Sequence, residues 1–349
     1  MPGDLSVIEG EYLRDILNQP RALDATFNKL QASKELLQLA GRLHKGGFKS
    51  IVLTGMGSSF HALHPLHLEL IEAGFHSVMV ESSELIHYQA ALFGRNNLIV
   101  VVSQSGRSVE VVRLLKSNRG RAAIIGVTNT PGGPLAKNAA ASLVTDAGEE
   151  FSVSCKTYLV SLLALRWLAE VMCGRDLSRI RRDLKNAGAC TQEYLANWKN
   201  HVQRLGERLR NVRQLFLVGR GVSLAAVGTG SLIVKEADHF PAEGMSSAAF
   251  RHGPFEMVGS DTFVGVFAGE KKTWQINRGL FDDIRGRQGE SEWIGEDSDF
   301  VPCLLPSGPR SVMPILEILP VQMITLALAA HAGREAGRFT FCSKVTTKE

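Results

Sequence analysis

One pattern recurs in the chain and constrains its fold more than any other. Residues 52–59 read VLTGMGSS and residues 216–223 read FLVGRGVS, an offset of 164 residues. Both fit [VF]-L-x-G-x-G-x-S, and each closes an apolar run just before a segment with helical spacing. Further short apolar runs surround the first copy: 50–54 (SIVLT), 77–80, 97–102 (NLIVVV), 122–128 (AAIIGVT) and 141–145. Runs at 262–268 (TFVGVFA) and 300–305 (FVPCLL) follow the second copy. A strand that is apolar without alternation is covered on both faces, which is the situation of a parallel sheet with helices on either side. Helical segments such as 109–116 alternate with these runs. The expected fold class is therefore α/β. It consists of two tandem domains, each a doubly wound, flavodoxin-like parallel sheet flanked by helices.

A chain of 349 residues is long enough for two such cores, and 44% hydrophobic against 21% charged residues excludes wholesale disorder. The boundaries are drawn at 1–190 for the first domain with an N-terminal helical segment, 191–335 for the second, and 336–349 for a C-terminal tail. The charged helical region 176–210 joins the two copies. A formal charge of +4 is too small to argue for nucleic acid, which needs a concentrated basic face. Cysteines 155, 173, 190, 303 and 342 are odd in number and contain no CxxC, so no disulfide framework or structural zinc site is readable. A reducing cytoplasm is the expected compartment, and the N-terminus MPGDLSVIEGEYLRD has no apolar signal-peptide core. The apolar stretches 158–173 and 313–332 carry internal charges or prolines (Arg166, Glu170, Pro314, Glu317, Pro320). They are read as buried helices rather than membrane spans.

Ligands of open parallel sheets sit at the carboxyl ends of the strands, near the switch in strand order. Two serine-rich loops fall at such ends: Gly57-Ser58-Ser59, and Ser103-Gln104-Ser105-Gly106-Arg107-Ser108. Hydroxyls, backbone N–H groups and a helix N-terminus together suit a phosphate. The same serines could simply cap helices. The second copy has Ala268-Gly269-Glu270 where the first has the serine loop, so one half is expected to bind the ligand. A dinucleotide reading is weak, because Gly55-Met56-Gly57 begins a GxGxxG whose third position is Phe60, although Glu81 stands at a suitable distance. No GxxxxGK[ST] is present. His61, His64 and His67 recur every three residues. They could ligate a metal, but no carboxylate or cysteine joins them before Glu69, and a packed or solvated helix face is the simpler reading. In the second copy Glu236 stands on an apolar helix, where a carboxylate can have a raised pKa and shuttle protons. His252 precedes Gly253-Pro254, a rigid turn. An ordinary surface carboxylate and a backbone-bonded loop histidine are the plain alternatives.

The run SQSGRS, the GxGSS loop, the segment KEADHFPAEGMSSAAFRHGP and the terminal SKVTTKE resemble the sugar isomerase (SIS) domain family. The resemblance is to the isomerase half of glucosamine-6-phosphate synthase and its stand-alone relatives, and it runs from 16–20 (ILNQP) to Glu349. It implies two tandem SIS domains. It also implies that Ser103, Gln104, Ser105 and Ser108 form a phosphate loop with Gly57, Ser58 and Ser59, and Ser154 is placed with this substrate-binding set. Glu236 matches the carboxylate that moves a proton between C1 and C2. His252 matches a ring-opening histidine that reaches a neighbouring subunit's site, and Lys344 matches a tail lysine that forms a Schiff base with the open-chain ketose. The tail is then expected to fold over the sugar site. Glu243 matches a further family glutamate with no assigned role.

Two departures stand out. Ile233 occupies the place of a family lysine one turn before Glu236, and no glutaminase domain precedes the isomerase region. The expected activity is isomerisation or deamination of a hexose or hexosamine 6-phosphate by a homodimer with shared sites. It needs no metal or organic cofactor and involves neither nucleic acid nor membrane. Deglycation of a fructosamine 6-phosphate and a non-catalytic sugar-phosphate regulator are the alternatives. No helix-turn-helix precedes Ile51, and Glu236, His252 and Lys344 occur together, so an enzyme is favoured.

Overall fold

The computed structural model describes residues 5–287, 289–341 and 343–346. Cys342 and residues 347–349 of the tail motif lie outside this set. The chain groups into two compact units that are not contiguous in sequence. One comprises 21–149, 156–185 and 342–349, and the other 1–20, 150–155 and 186–341.

The first-sheet unit is built on five parallel strands: β1 (Ser50–Gly55), β2 (Ser77–Glu81), β3 (Asn97–Val102), β4 (Ala123–Thr128) and β5 (Ala141–Val144). Their order is β2-β1-β3-β4-β5, the flavodoxin-like winding expected from the apolar runs. β1 and β3 are buried along their length after the first residue, as unbroken apolar strands must be. Val52, Ile99, Val101 and Ile124 pack with Leu85, Val111 and Leu114 from the helices and with Phe93 from a connecting segment. The helix Lys156–Met172, which includes most of one apolar stretch, is buried at nearly every position.

The second-sheet unit repeats the plan with β6 (Gln214–Gly219), β7 (Ala242–Ser246), β8 (Thr262–Phe267) and β9 (Glu290–Ile294), in the order β7-β6-β8-β9. The repeat is carried into the register. Ile51 of β1 lies between Ser77 and Leu98, and Leu215 of β6 lies between Ala242 and Phe263. Phe216, Val218, Val264 and Val266 pack against Phe250, Leu280, Phe281 and Ile284. The other apolar stretch, Met313–His331, is long and apolar enough to cross a membrane, yet 89% of its most apolar 18-residue window is buried in the protein.

The expected strand at 300–305 is not one. Residues Val301–Cys303 form a 3-10 turn, and only an isolated parallel bridge joins Gly295 to Leu304. Pro302 has no N–H for a ladder, and its carbonyl instead accepts the Tyr194 hydroxyl at 2.6 Å. The strand beside β8 is β9, whose Glu290 and Glu292 hide it from an apolar scan. The buried Glu292 is matched by Arg208, with Nε 3.0 Å away. β7 was hidden in the same way by Glu243 and Gly244. Gly244 is required there, because a Cβ would stand 2.4 Å from the Val227 carbonyl oxygen.

Candidate functional site

In the first-sheet unit the strand order reverses between β1 and β3, and the two serine loops leave those neighbouring strand ends. They touch through Gly55. A Cβ at this position would lie 3.1 Å from the Val102 carbonyl oxygen and 3.0 Å from the Ser59 carbonyl carbon, so only glycine lets the loops meet. Gly57 turns the chain at φ 52 and starts the short helix Ser58–His61. Ser58 is buried, and Ser59 is half-buried.

The longer loop is pinned from below. The Gln104 carbonyl accepts the Asn129 N–H at 3.0 Å and the Thr128 hydroxyl at 3.1 Å, both from the end of β4. In a trans peptide the N–H of Ser105 points away from that carbonyl, so pinning one fixes the direction of the other. Ser103 Oγ accepts the Gly106 N–H at 3.2 Å, and Ser105 Oγ accepts the Arg107 N–H at 3.3 Å. In both serines a lone pair is engaged and the O–H proton remains to donate. Gly106 sits at φ 59, with Thr128 Oγ1 only 2.9 Å from where its Cβ would be.

Helix capping does not explain these serines. Ser108 occupies the N-cap position of the helix Val109–Asn118 with extended backbone, but its side chain makes no cap hydrogen bond. Ser58 lies inside its helix, and no side-chain cap bond is made at Gly57. What remains is a cluster of hydroxyls, Ser105's directed N–H and the first turn of a ten-residue helix, which together suit an anion. The helix start also holds the tail. The Val109 N–H donates to the Thr346 carbonyl at 3.1 Å, which brings the backbone two residues beyond Lys344 to the end of the serine loop. Lys344 is half-buried.

The corresponding place in the second-sheet unit is filled by the protein itself. Ser223, the repeat partner of Ser59, donates its hydroxyl to Glu317 Oε1 at 2.6 Å. Burial pushes Glu317 up to about 7, the Ser223 bond opposes the shift, and Glu270 adds to it. Past β8, Asn277 donates to the carbonyls of Phe267 and Ala268 at 3.1 and 3.2 Å. A built-in carboxyl and an amide thus stand where the first copy leaves open hydroxyls. This is a physical reason for the asymmetry expected from Ala268-Gly269-Glu270.

Glu236 and His252 belong to this second unit, as does Ser154. Glu236 is half-buried near the end of the helix Leu224–Asp238, and Ile233 one turn earlier is fully buried. The helix end is an acidic, poorly solvated place. Asp238 is pushed well above the carboxylate range by burial, against the pull of Arg334 at 3.8 Å. Buried Tyr12 is pushed up by burial and then by Cys155, with Asp238 and Glu236 contributing and its bond to Thr325 opposing. His252 is exposed and closes the helix Ser247–Arg251 just before Gly253 at φ 140. Ser154 is half-buried ahead of the helix Lys156–Met172, and Glu243 is exposed on β7.

His61, His64 and His67 form a packed face. His61 and His64 stack with ring centroids 6.3 Å apart, and burial together with His61 and His67 lowers His64 to about 4. His67 Nδ1 pairs with the Ser77 hydroxyl at 3.1 Å. No group of three potential ligands is found among the described residues. Thr128, Asn129 and Glu317 were not anticipated. The TNT triplet closing β4 is a local signal for the first two, and the lone carboxylate within the apolar stretch 313–332 is one for Glu317.

Residues 48–171 match the SIS domain family model. Over its length the chain is 27% identical to glutamine–fructose-6-phosphate aminotransferase (isomerizing) of Pyrococcus horikoshii, covering 97% of this chain and 57% of that protein. The chain thus spans little more than half of the curated relatives it matches. In fold it is similar to the C-terminal domain of glucosamine-fructose-6-phosphate aminotransferase from Francisella tularensis, with TM-score 0.84 at 19% identity, covering 96% and 100% of the two chains. It is also similar to glucosamine-6-phosphate deaminase from Thermotoga maritima, with TM-score 0.79 at 17% identity over 97% and 100%.

Proposed function

We propose that this chain, which carries a SIS domain over residues 48–171, is a phosphosugar isomerase whose substrate is a hexose or amino-hexose 6-phosphate, with release of ammonia where the sugar carries a 2-amino group. The observation that carries the reading is the serine loop, in particular Ser108 at a helix N-cap with its hydroxyl uncommitted to the helix. Two of the relatives it resembles are, by name, a fructose-6-phosphate aminotransferase and a glucosamine-6-phosphate deaminase, which supports a phosphorylated hexose in this role.

The roles follow the chemistry. Ser58, Ser59, Ser103, Gln104, Ser105 and Ser108, with the turn at Gly57, bind the phosphate, and Ser154 contributes to the sugar. Glu236 removes the proton beside the carbonyl and returns it to the adjacent carbon through an enediolate. A positioned acid–base group of this kind contributes roughly 10²–10⁴ in rate. His252 delivers a proton to the ring oxygen as the ring opens and the anomeric hydroxyl gives up its own, serving the site of a second copy in a homodimer. Lys344 condenses through its neutral amine with the open-chain ketose carbonyl, releasing water. For a 2-amino sugar the same proton shift gives an imine, and water then displaces ammonia.

A panel of hexose 6-phosphates and amino-hexose 6-phosphates, scored for aldose–ketose conversion and for ammonia, tests the proposal. Turnover of a member, lost in Glu236→Gln, is the expected result. Turnover of fructosamine 6-phosphates alone would move the reading to a deglycase. Tight binding without turnover of any member would make the protein a sugar-phosphate sensor.

A further inference from the structure

The second sheet has four strands where the first has five, and beside its edge strand β9 lies a cavity of about 420 Å³. Four arginines line it: Arg204 and Arg208 from the helix Trp198–Leu209, and Arg278 and Arg285 from the helix Lys271–Arg285. The guanidiniums are held against aromatic faces. Arg204 and Arg208 stand 5.0 and 5.4 Å from the Phe300 ring, Arg278 stands 5.1 Å from Phe281, and Arg285 stands 5.7 Å from Phe281. A cation–π contact of this kind holds the guanidinium near the ring while leaving N–H groups to a ligand.

The four arginines outnumber the carboxylates that line the cavity, Glu290, Glu292 and Asp299. Arg208 is committed to Glu292 at 3.0 Å and Glu290 at 3.7 Å, and Arg278 to Asp282 at 3.4 Å. Among the described residues, Arg204 and Arg285 have no carboxylate within ion-pair distance. A second signal comes from the floor. Ser291 is among the residues lining the cavity, is about nine-tenths buried, and its hydroxyl has no hydrogen-bond partner among the described residues. A buried hydroxyl without a partner costs stability unless a ligand or water meets it. The size falls in the range of small-molecule sites, roughly 300–1,000 Å³.

We propose that this cavity is a second ligand site, separate from the serine loops, which binds a small phosphorylated molecule through the forks of Arg204 and Arg285 and the Ser291 hydroxyl. A phosphate group offers several acceptor oxygens in the planar spacing that a guanidinium fork meets two at a time. Glu292, on the cavity wall, is pushed up to about 7 by burial against the pull of Arg208, so it repels an entering anion less than an ordinary carboxylate would. The assignment does not depend on the reading of the serine loops as a substrate site.

Calorimetric titration of the full chain with inorganic pyrophosphate tests it, using Arg204→Ala/Arg285→Ala and Ser103→Ala/Ser108→Ala proteins beside the parent. The expected result is a class of sites lost, or weakened at least tenfold, in the arginine variant and retained in the serine variant. An Arg204→Lys/Arg285→Lys protein keeps the charge, loses the forks and should show intermediate affinity; it also serves if the alanine variant fails to fold. Wild-type stoichiometry and affinity in the arginine variants would overturn the proposal. Binding lost only in the serine variant would also overturn it, while leaving the phosphosugar reading intact. Saturable binding of an acidic extended peptide with no pyrophosphate binding would reassign the β9 edge to strand addition and overturn the small-ligand assignment.

Discussion

Replacing Glu317 with glutamine should remove a pH dependence that the fold creates. The carboxyl is fully enclosed, accepts one hydroxyl hydrogen bond from Ser223, and is pushed up to about 7 by burial. In the unfolded chain the same group titrates near its ordinary value of 4.5. A carboxyl whose folded pKa is raised keeps its full stabilising contribution only below the unfolded value. The contribution falls as pH rises through the folded one, because the native state must then hold a desolvated anion. The difference of about 2.5 pH units, at about 1.36 kcal/mol per unit, corresponds to roughly 3 kcal/mol lost between pH 4.5 and pH 8. Urea unfolding of the parent and of Glu317→Gln at several pH values isolates this share, since every other titrating group is common to both proteins. The stability difference, parent minus variant, should drop by roughly 3 kcal/mol from pH 4.5 to pH 8 and then level off. A difference that stays flat across that window would refute both the buried-acid assignment and the view that Ser223 holds an internal carboxyl.

Three further outcomes are expected. Ser108→Ala should weaken hexose-phosphate binding by about 1.5–3 kcal/mol, the worth of one charge-assisted hydrogen bond, without moving the melting temperature, because the hydroxyl does not cap its helix; calorimetry and a thermal melt read the two quantities separately. Gly106→Ala should destabilise the protein by at least about 1–2 kcal/mol, since it forces a side chain into the left-handed region at φ 59 and to 2.9 Å from Thr128 Oγ1; an unchanged urea midpoint would count against the pinned-loop geometry. Glu236→Gln should lower kcat by roughly 10²–10⁴ with substrate affinity retained; exchange of the substrate's C2 proton with deuterated solvent, persisting at the parent rate, would remove Glu236 from proton transfer.

Much of the architecture was readable because its signals are local. NLIVVV can be little else than a strand covered on both faces, and the VLTGMGSS/FLVGRGVS pair signalled the second sheet. The strands β7 and β9 escaped because AEGMS and ESEWI contain carboxylates and a glycine whose justification is tertiary: Arg208 beside Glu292, and the close backbone of Val227 beneath Gly244. The error at 300–305 came from weighing apolar content above Pro302. The serine loops were visible in the same local way, whereas their supports were not. Gln104 is held by residues 24 and more positions away, Ser223 meets a carboxyl 94 positions on, and Val109 meets Thr346 across most of the chain. Such pairs leave no trace in spacing or composition.

The interleaving of the two units bears on how the molecule is made. Ile8, Tyr12, Leu13 and Ile16 are almost wholly buried in the unit completed by the helix Leu319–His331, and Gln19 exchanges hydrogen bonds with Gln322 at 2.9 and 2.8 Å. At synthesis rates of about 5–20 residues per second, roughly 15–60 seconds pass between the emergence of that N-terminal segment and that of its partners. Through this interval the apolar face of the helix Glu11–Leu17, carried by Tyr12, Leu13 and Ile16, lacks the partner that covers it. The first-sheet unit likewise gains the hydrogen bond from Val109 to Thr346 only when residue 346 has emerged. Neither half can reach its final contacts as an early, independent product on the ribosome. Removal of residues 5–20 should therefore compromise the second-sheet unit, whose core their buried side chains complete.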